Sequence, residues 1–132
     1  MMSVPYTERE AATIRDFVRR RVRERERERS ALLDRARADC AVIVGRIARE
    51  LGPARIYQWG SLVQGSHFTE RSDIDIAVEG VADPRKLHEM LGDLQRMTAF
   101  DLDIVRLERL TTAAAEHIRK RGRVVHEREA SG

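Results

Sequence analysis

Two aspartates one residue apart, Asp73 and Asp75, and a second such pair, Asp101 and Asp103, are the residues of this chain best suited to chemistry. Side chains of a strand alternate between its faces, so Asp73, Asp75 and Ala77 share one face while Ile74, Ile76 and Val78 share the other. Adjacent carboxylates on one face repel unless solvent, a proton or a cation relieves them. Oxygen donors without cysteine or paired histidine suit Mg²⁺ or Mn²⁺ rather than Zn²⁺. If the strand holding Asp101 and Asp103 lies beside the first, a third carboxylate joins the same cleft. Three carboxylates and two bound cations are the apparatus of in-line phosphoryl or nucleotidyl transfer.

A small-residue turn, Gly60-Ser61 with Gly65 after it, stands just before the first acid pair. Glycine lets backbone approach a phosphate closely, and a helix that starts there offers free N–H groups. Each signal is weak alone. Their order along the chain (strand, Gly-Ser turn, acidic strand, helix, acidic strand) is what carries weight.

The elements that must position these residues follow from pattern. Residues 7–51 hold no proline and one glycine, and apolar side chains recur at 32, 36, 40, 43, 47 and 51 with helical period. An earlier group, Ile14, Phe17, Val18 and Val22, has the same spacing. Between them the alternating Arg/Glu stretch from Arg23 to Ser30 reads as a solvated helix or a hinge between two helices, because as a strand neither of its faces could be buried. Gly52-Pro53 stops the helical region. Strands are expected over 54–59, 73–78 and 100–107. A helix follows Asp83-Pro84, with Leu87, Met90, Leu91, Leu94 and Met97 on one stripe. A last helix starts at Thr111 or Thr112 and stops at Gly122, and Val124-Val125 reads as a terminal strand. The expectation is an α+β fold, a small mixed sheet flanked by helices. A helical N-terminal extension spans 1–52 and the sheet domain 53–132. The Leu32–Leu51 stripe is expected to serve self-association or partner packing.

Composition sets limits. The net charge of +3 comes from 25 basic and 22 acidic residues, too mild a balance to call for nucleic acid. No apolar run is long enough for a bilayer and no basic-then-apolar leader is present, so a cytoplasmic protein is expected. The lone cysteine, Cys40, sits among Ala41, Val42, Ile43 and Val44 and reads as a buried structural thiol. Trp59 reads as packing. His67, Arg71 and the basic run Arg119, Lys120, Arg121, Arg123 are secondary candidates for phosphate.

The motif GSxxxG at Gly60, Ser61 and Gly65, followed by SDIDIAVEG (Ser72 to Gly80) and LDIV (Leu102 to Val105), resembles the DNA polymerase β-type nucleotidyltransferase superfamily, and within it the minimal nucleotidyltransferases of prokaryotes. The similarity runs over residues 54–127. It implies that Gly60, Ser61 and Ser72 bind the nucleotide, that Asp73 and Asp75 are metal ligands, and that Asp103 is the third carboxylate, beside the acceptor hydroxyl. It also implies Mg²⁺ (or Mn²⁺) and ATP, transfer of AMP to a hydroxyl, and an antitoxin that binds a helical HEPN-type toxin and modifies its tyrosine. The competing reading is a binding module that neutralises its partner by contact and whose acids are relics. Self-association through the N-terminal helices accompanies either. Eleven residues separate Ser61 from Asp73, one more than the family's usual spacing, and an insertion around Ser66-His67-Phe68 is expected to absorb it.

Overall fold

The computed structural model describes residues 6–129. Its first element, α1, is a single helix over Glu8–Leu51. Thr7 caps its start: its Oγ1 accepts the Glu10 N–H at 3.1 Å and donates to the Glu10 carboxylate at 3.0 Å. The Arg/Glu stretch stays helical throughout, which decides between the solvated helix and the hinge. With no proline or glycine to stop it and no strand to pair with, helix is the one conformation that satisfies its backbone.

By internal contacts the chain divides into two compact units, 1–31 and 32–132. In the first, Ile14, Phe17, Val18 and Val22 are exposed. The second opens on the last twenty residues of α1, before the boundary at 52/53 expected from sequence. It continues through β1 (Arg55–Trp59), the one-turn helix α2 (Ser61–Gln64), β2 (Ile74–Glu79), α3 (Pro84–Gln95), β3 (Leu102–Arg106), a 3₁₀ turn at Leu107–Arg109, α4 (Thr112–Arg121) and β4 (Arg123–Glu127).

The four strands form one mixed sheet in the order β3-β2-β1-β4. β1 is antiparallel to both β2 and β4, and β2 is parallel to β3. Alternation along the strands gives the sheet two apolar faces. Ile56, Ile74, Ile76 and Val78 join Ala36, Cys40, Ile43, Ile47 and Leu51 of α1 and Leu87, Met90 and Leu94 of α3 in the larger core. Tyr57 and Ala77 join Leu107, Ala115 and Ile118 in the smaller one.

The helical stripe at 36–51 therefore packs against the chain's own sheet, not against a second molecule. The physical reason is area: α3 has only twelve residues and cannot by itself cover a four-stranded face. Cys40 is buried in that core, and burial pushes its thiol up to about 11, as befits a structural residue. Phe68 likewise belongs to the core, its ring 5.6 Å from that of Phe100. The long connection between Gly65 and β2 is thus anchored at the very residue where an insertion was expected.

α3 is capped by Asp83, whose carboxylate accepts the N–H groups of Arg85 at 3.2 Å and Lys86 at 3.3 Å. Thr111 caps α4 through the Ala114 N–H. Among the described residues no helix is long and apolar enough to cross a membrane.

Candidate active site

The site is built at the ends of β1, β2 and β3, on the face that α4 covers. β1 ends at Trp59, paired with Asp75 across the antiparallel ladder. The chain then turns through Gly60 at φ 74°, a region that L side chains rarely adopt, and enters α2 at Ser61. A Cβ on Gly60 would lie 2.3 Å from Asp75 Oδ2. Glycine is thus required on two counts, backbone conformation and the close approach of an acid. The turn is fixed from behind: Leu62 is fully buried in the larger core, and Arg37 of α1 donates to its carbonyl at 3.2 Å.

Asp75 stands opposite Asp103 in the parallel pairing of β2 with β3. Residues in register on neighbouring strands project to the same face about 5 Å apart, so Asp75 and Asp103 share one face of the sheet. Asp73 directly precedes β2. Burial, and then the charges of Asp103 and Asp73, push the Asp75 carboxyl up to about 6. Asp101 lies before β3 and is exposed; its carbonyl accepts the Ile74 N–H at 2.8 Å, and this bond holds the two acidic strands in register.

Among the described residues no three His, Cys, Asp or Glu side chains are gathered tightly enough to hold an ion as they stand. The residues nonetheless fit a divalent cation and a nucleotide on three observations. The donors near Asp75 are all carboxylate oxygens, the set hard cations prefer. Burial, and then repulsion from Asp103 and Asp73, raises the Asp75 carboxyl, and a cation would oppose both effects. Beside Gly60 and Ser61 lies a cavity of about 340 Å³, lined also by Trp59, Gln64, His117 and Arg121, and Trp59 Nε1 is buried without a hydrogen-bond partner among the described residues.

Of the secondary candidates, Arg121 lines this cavity, together with His117 one helical turn earlier. Arg119 turns away to pair with Glu79. His117 was not singled out by sequence; the signal available was its i,i+4 spacing to Arg121 on α4. Ser72 is placed at the entry to β2, where its Oγ accepts the Thr69 N–H at 2.9 Å and closes the preceding turn. Arg71 lies in that same turn, and His67 is exposed in the connecting loop.

A mixed sheet with helices on both faces, a Gly-Ser turn after its first strand and aspartates at facing positions of β2 and β3 defines a nucleotide-transfer fold. The family model described as "Polymerase beta, Nucleotidyltransferase" matches residues 43–131, and the chain belongs to that family. Among solved structures, it is 26% identical to a chain in "Crystal structure of the toxin-antitoxin with AMP-PNP", covering 67% of this chain and 74% of that one with a TM-score of 0.55. It is 28% identical to a chain in the crystal structure of a mutant of the toxin-antitoxin MntA-HpeT, covering 65% and 71% with a TM-score of 0.51. A search of curated proteins finds no match.

Proposed function

We propose that this nucleotidyltransferase moves AMP from ATP to a hydroxyl of a partner protein, a tyrosine of a helical HEPN-type toxin, and acts as the antitoxin of that pair. The observation that carries the reading is the facing of Asp75 and Asp103 on adjacent strands, with Gly60 folded against Asp75. The likeness to a toxin–antitoxin chain crystallised with AMP-PNP supports both the nucleotide and the partner.

The roles follow from position. Gly60 and Ser61 present backbone N–H groups and a hydroxyl to the triphosphate, with Arg121 facing them across the cavity. Ser72 braces the entry to β2. Asp73, Asp75 and Asp103 would hold Mg²⁺ or Mn²⁺, which when bound neutralises the phosphates and lowers the pKa of the attacking hydroxyl. Asp103, exposed at the sheet edge, accepts the proton of the acceptor hydroxyl. The acceptor oxygen bonds to the α-phosphorus, the bond from that phosphorus to the bridging oxygen breaks, and pyrophosphate leaves with the electron pair. Use of ATP fits a cytoplasmic setting for this activity. The exposed Ile14, Phe17, Val18 and Val22 support self-association through the N-terminal part of α1, to be read from the sedimentation of the full chain against one beginning at Leu32.

The test is incubation with Mg²⁺ and α-labelled ATP, with and without the product of the neighbouring gene. Label should move to the partner, and Asp73→Asn or Asp103→Asn should abolish transfer. Undiminished transfer by the double variant would remove these acids from the mechanism. Neutralisation of the partner by a protein that binds no nucleotide would assign the function to contact alone.

A further inference from the structure

β3 is an edge strand: β2 pairs with one side of it, and among the described residues no strand pairs with the other. In a parallel ladder alternate residues of a strand direct their peptide groups to opposite neighbours. The Ile74 N–H bonds to Asp101 O, so the peptide groups of Asp101, Asp103 and Val105 point towards β2 and those of Leu102, Ile104 and Arg106 point outward. Gln95 takes the outward N–H of Leu102 at 3.0 Å. From Ile104 onward the edge is open to an added strand.

Beside that edge, on the face opposite Asp103, lies a cavity of about 420 Å³ with Leu87 and Ile104 in its lining and Arg85, His88, Arg106 and Arg109 around it. Among the described residues no acidic side chain lines it. Four acids are adjacent in sequence to its lining residues: Asp83 caps α3, Glu108 accepts the Gly80 N–H, Asp103 lies on the other face of the sheet, and Glu89 is exposed on α3 outside the lining. Other arginines of this unit do have carboxylates, as in Arg46–Glu50, Arg55–Glu127 and Arg119–Glu79. Arg106 Nε, by contrast, is buried with no hydrogen-bond partner among the described residues, a costly state for a charged donor that an incoming acceptor would end. Three arginines and a histidine with no ion-pair partner among the described residues, set over apolar side chains and beside an open strand edge, match an extended acidic peptide. A phosphate backbone would answer the charge but would leave the strand edge unused.

We propose that the outer edge of β3 and this basic cavity dock an extended, acidic segment of the acceptor protein. The inference rests on the proposed protein-modifying function and supplies its substrate class. A peptide added to β3 alternates its side chains as β3 does. One set lies on the face of Asp103, where the reacting hydroxyl belongs, and the residues on either side of it reach Arg85, Arg106 and Arg109. The acceptor residue is therefore one whose immediate neighbours are acidic.

The probe is a fluorescent peptide of strictly alternating Glu and Tyr, with binding read by anisotropy in the absence of nucleotide. The native chain should bind it, and the Arg85→Glu/Arg109→Glu double variant should bind roughly tenfold more weakly. Both residues are exposed, so the variant should keep the native melting temperature, and Arg85→Lys/Arg109→Lys should retain most of the affinity. A peptide with Lys in place of Glu should not bind, and one with the same residues in two blocks should bind more weakly. The docking site is overturned if the native chain does not bind the alternating peptide, if the double variant binds it equally, or if the Lys or block peptide binds as well. It is also overturned if the double variant loses a single-stranded oligonucleotide and not the peptide. ATP binding, measured alongside, separates the two readings. Peptide binding without ATP binding upholds the docking site and sinks the nucleotide-transfer function, whereas ATP binding without peptide binding sinks the docking site alone.

Discussion

Asp75 is the acid whose surroundings are least tolerant of its charge. Its carboxyl is raised from 3.8 to about 6 by burial and by Asp103 and Asp73. Between those values the native state keeps a proton that the unfolded chain has released, so stability falls as pH rises through that window and stays reduced above it. Asp75→Asn removes the penalty. The variant should melt higher than the native chain at pH 7.5, by about 5 °C, from a gain of about 1 kcal/mol after discounting for the partial exposure of the group. The gain should vanish below pH 4. Added Mg²⁺ should raise the melting temperature of the native chain at pH 7.5 and leave Asp75→Asn where it was. An equal gain at both pH values would mean that charge is not its source. Gly60 makes the complementary case. Gly60→Ala meets a backbone conformation at φ 74° and ψ -154° that is essentially reserved for glycine, costing about 1–3 kcal/mol, and forces the Asp75 carboxylate aside. Calorimetry should show a cooperatively folded protein that has lost ATP binding; native affinity in this variant would show that the close approach of turn and acid is dispensable.

The elements were legible where a local signal was complete. Alternation gave β2 and β3 and placed Asp75 and Asp103 on matching faces. Asp83-Pro84 gave the start of α3, and the Gly60-Ser61 step gave the turn. What could not be read depends on pairing across distance. Antiparallel pairing of β4 with β1 carries the end of α4 back to the Gly60 turn, so His117 and Arg121 reach the cavity from almost sixty residues away. The stripe on α1 shows only that it must be buried, and its period is the same whether sheet or second molecule buries it. The cap of α3 lends itself to measurement, because the same helix carries Arg85 and His88. Asp83→Ala leaves two first-turn N–H groups without their acceptor and should lower stability by about 1 kcal/mol in urea unfolding, while Asp83→Asn should lose far less. Equal losses in the two variants would point to the charge of Asp83 rather than to capping.

For the whole molecule, the division at Leu32 sets what the enzyme unit needs in order to fold. All the core residues described belong to Ala36 and beyond, none to the first unit. A chain beginning at Leu32 keeps the helical cover of the sheet intact. Its unfolding should remain cooperative, with a melting temperature within a few degrees of the full chain and unchanged ATP binding. A chain beginning at Arg49 loses Ala36, Cys40, Ile43, Val44 and Ile47, all buried. At about 1.5–3 kcal/mol for each of the larger aliphatic side chains, plus the exposed sheet face left behind, the loss matches the entire stability of an ordinary domain. That chain should show no cooperative transition and should aggregate through the uncovered faces of Ile56, Ile74 and Ile76. Calorimetry of the two chains beside the full protein is the measurement. A cooperative transition in the shorter chain would mean that α3 covers that face of the sheet unaided, and that the last turns of α1 are free to bind something else.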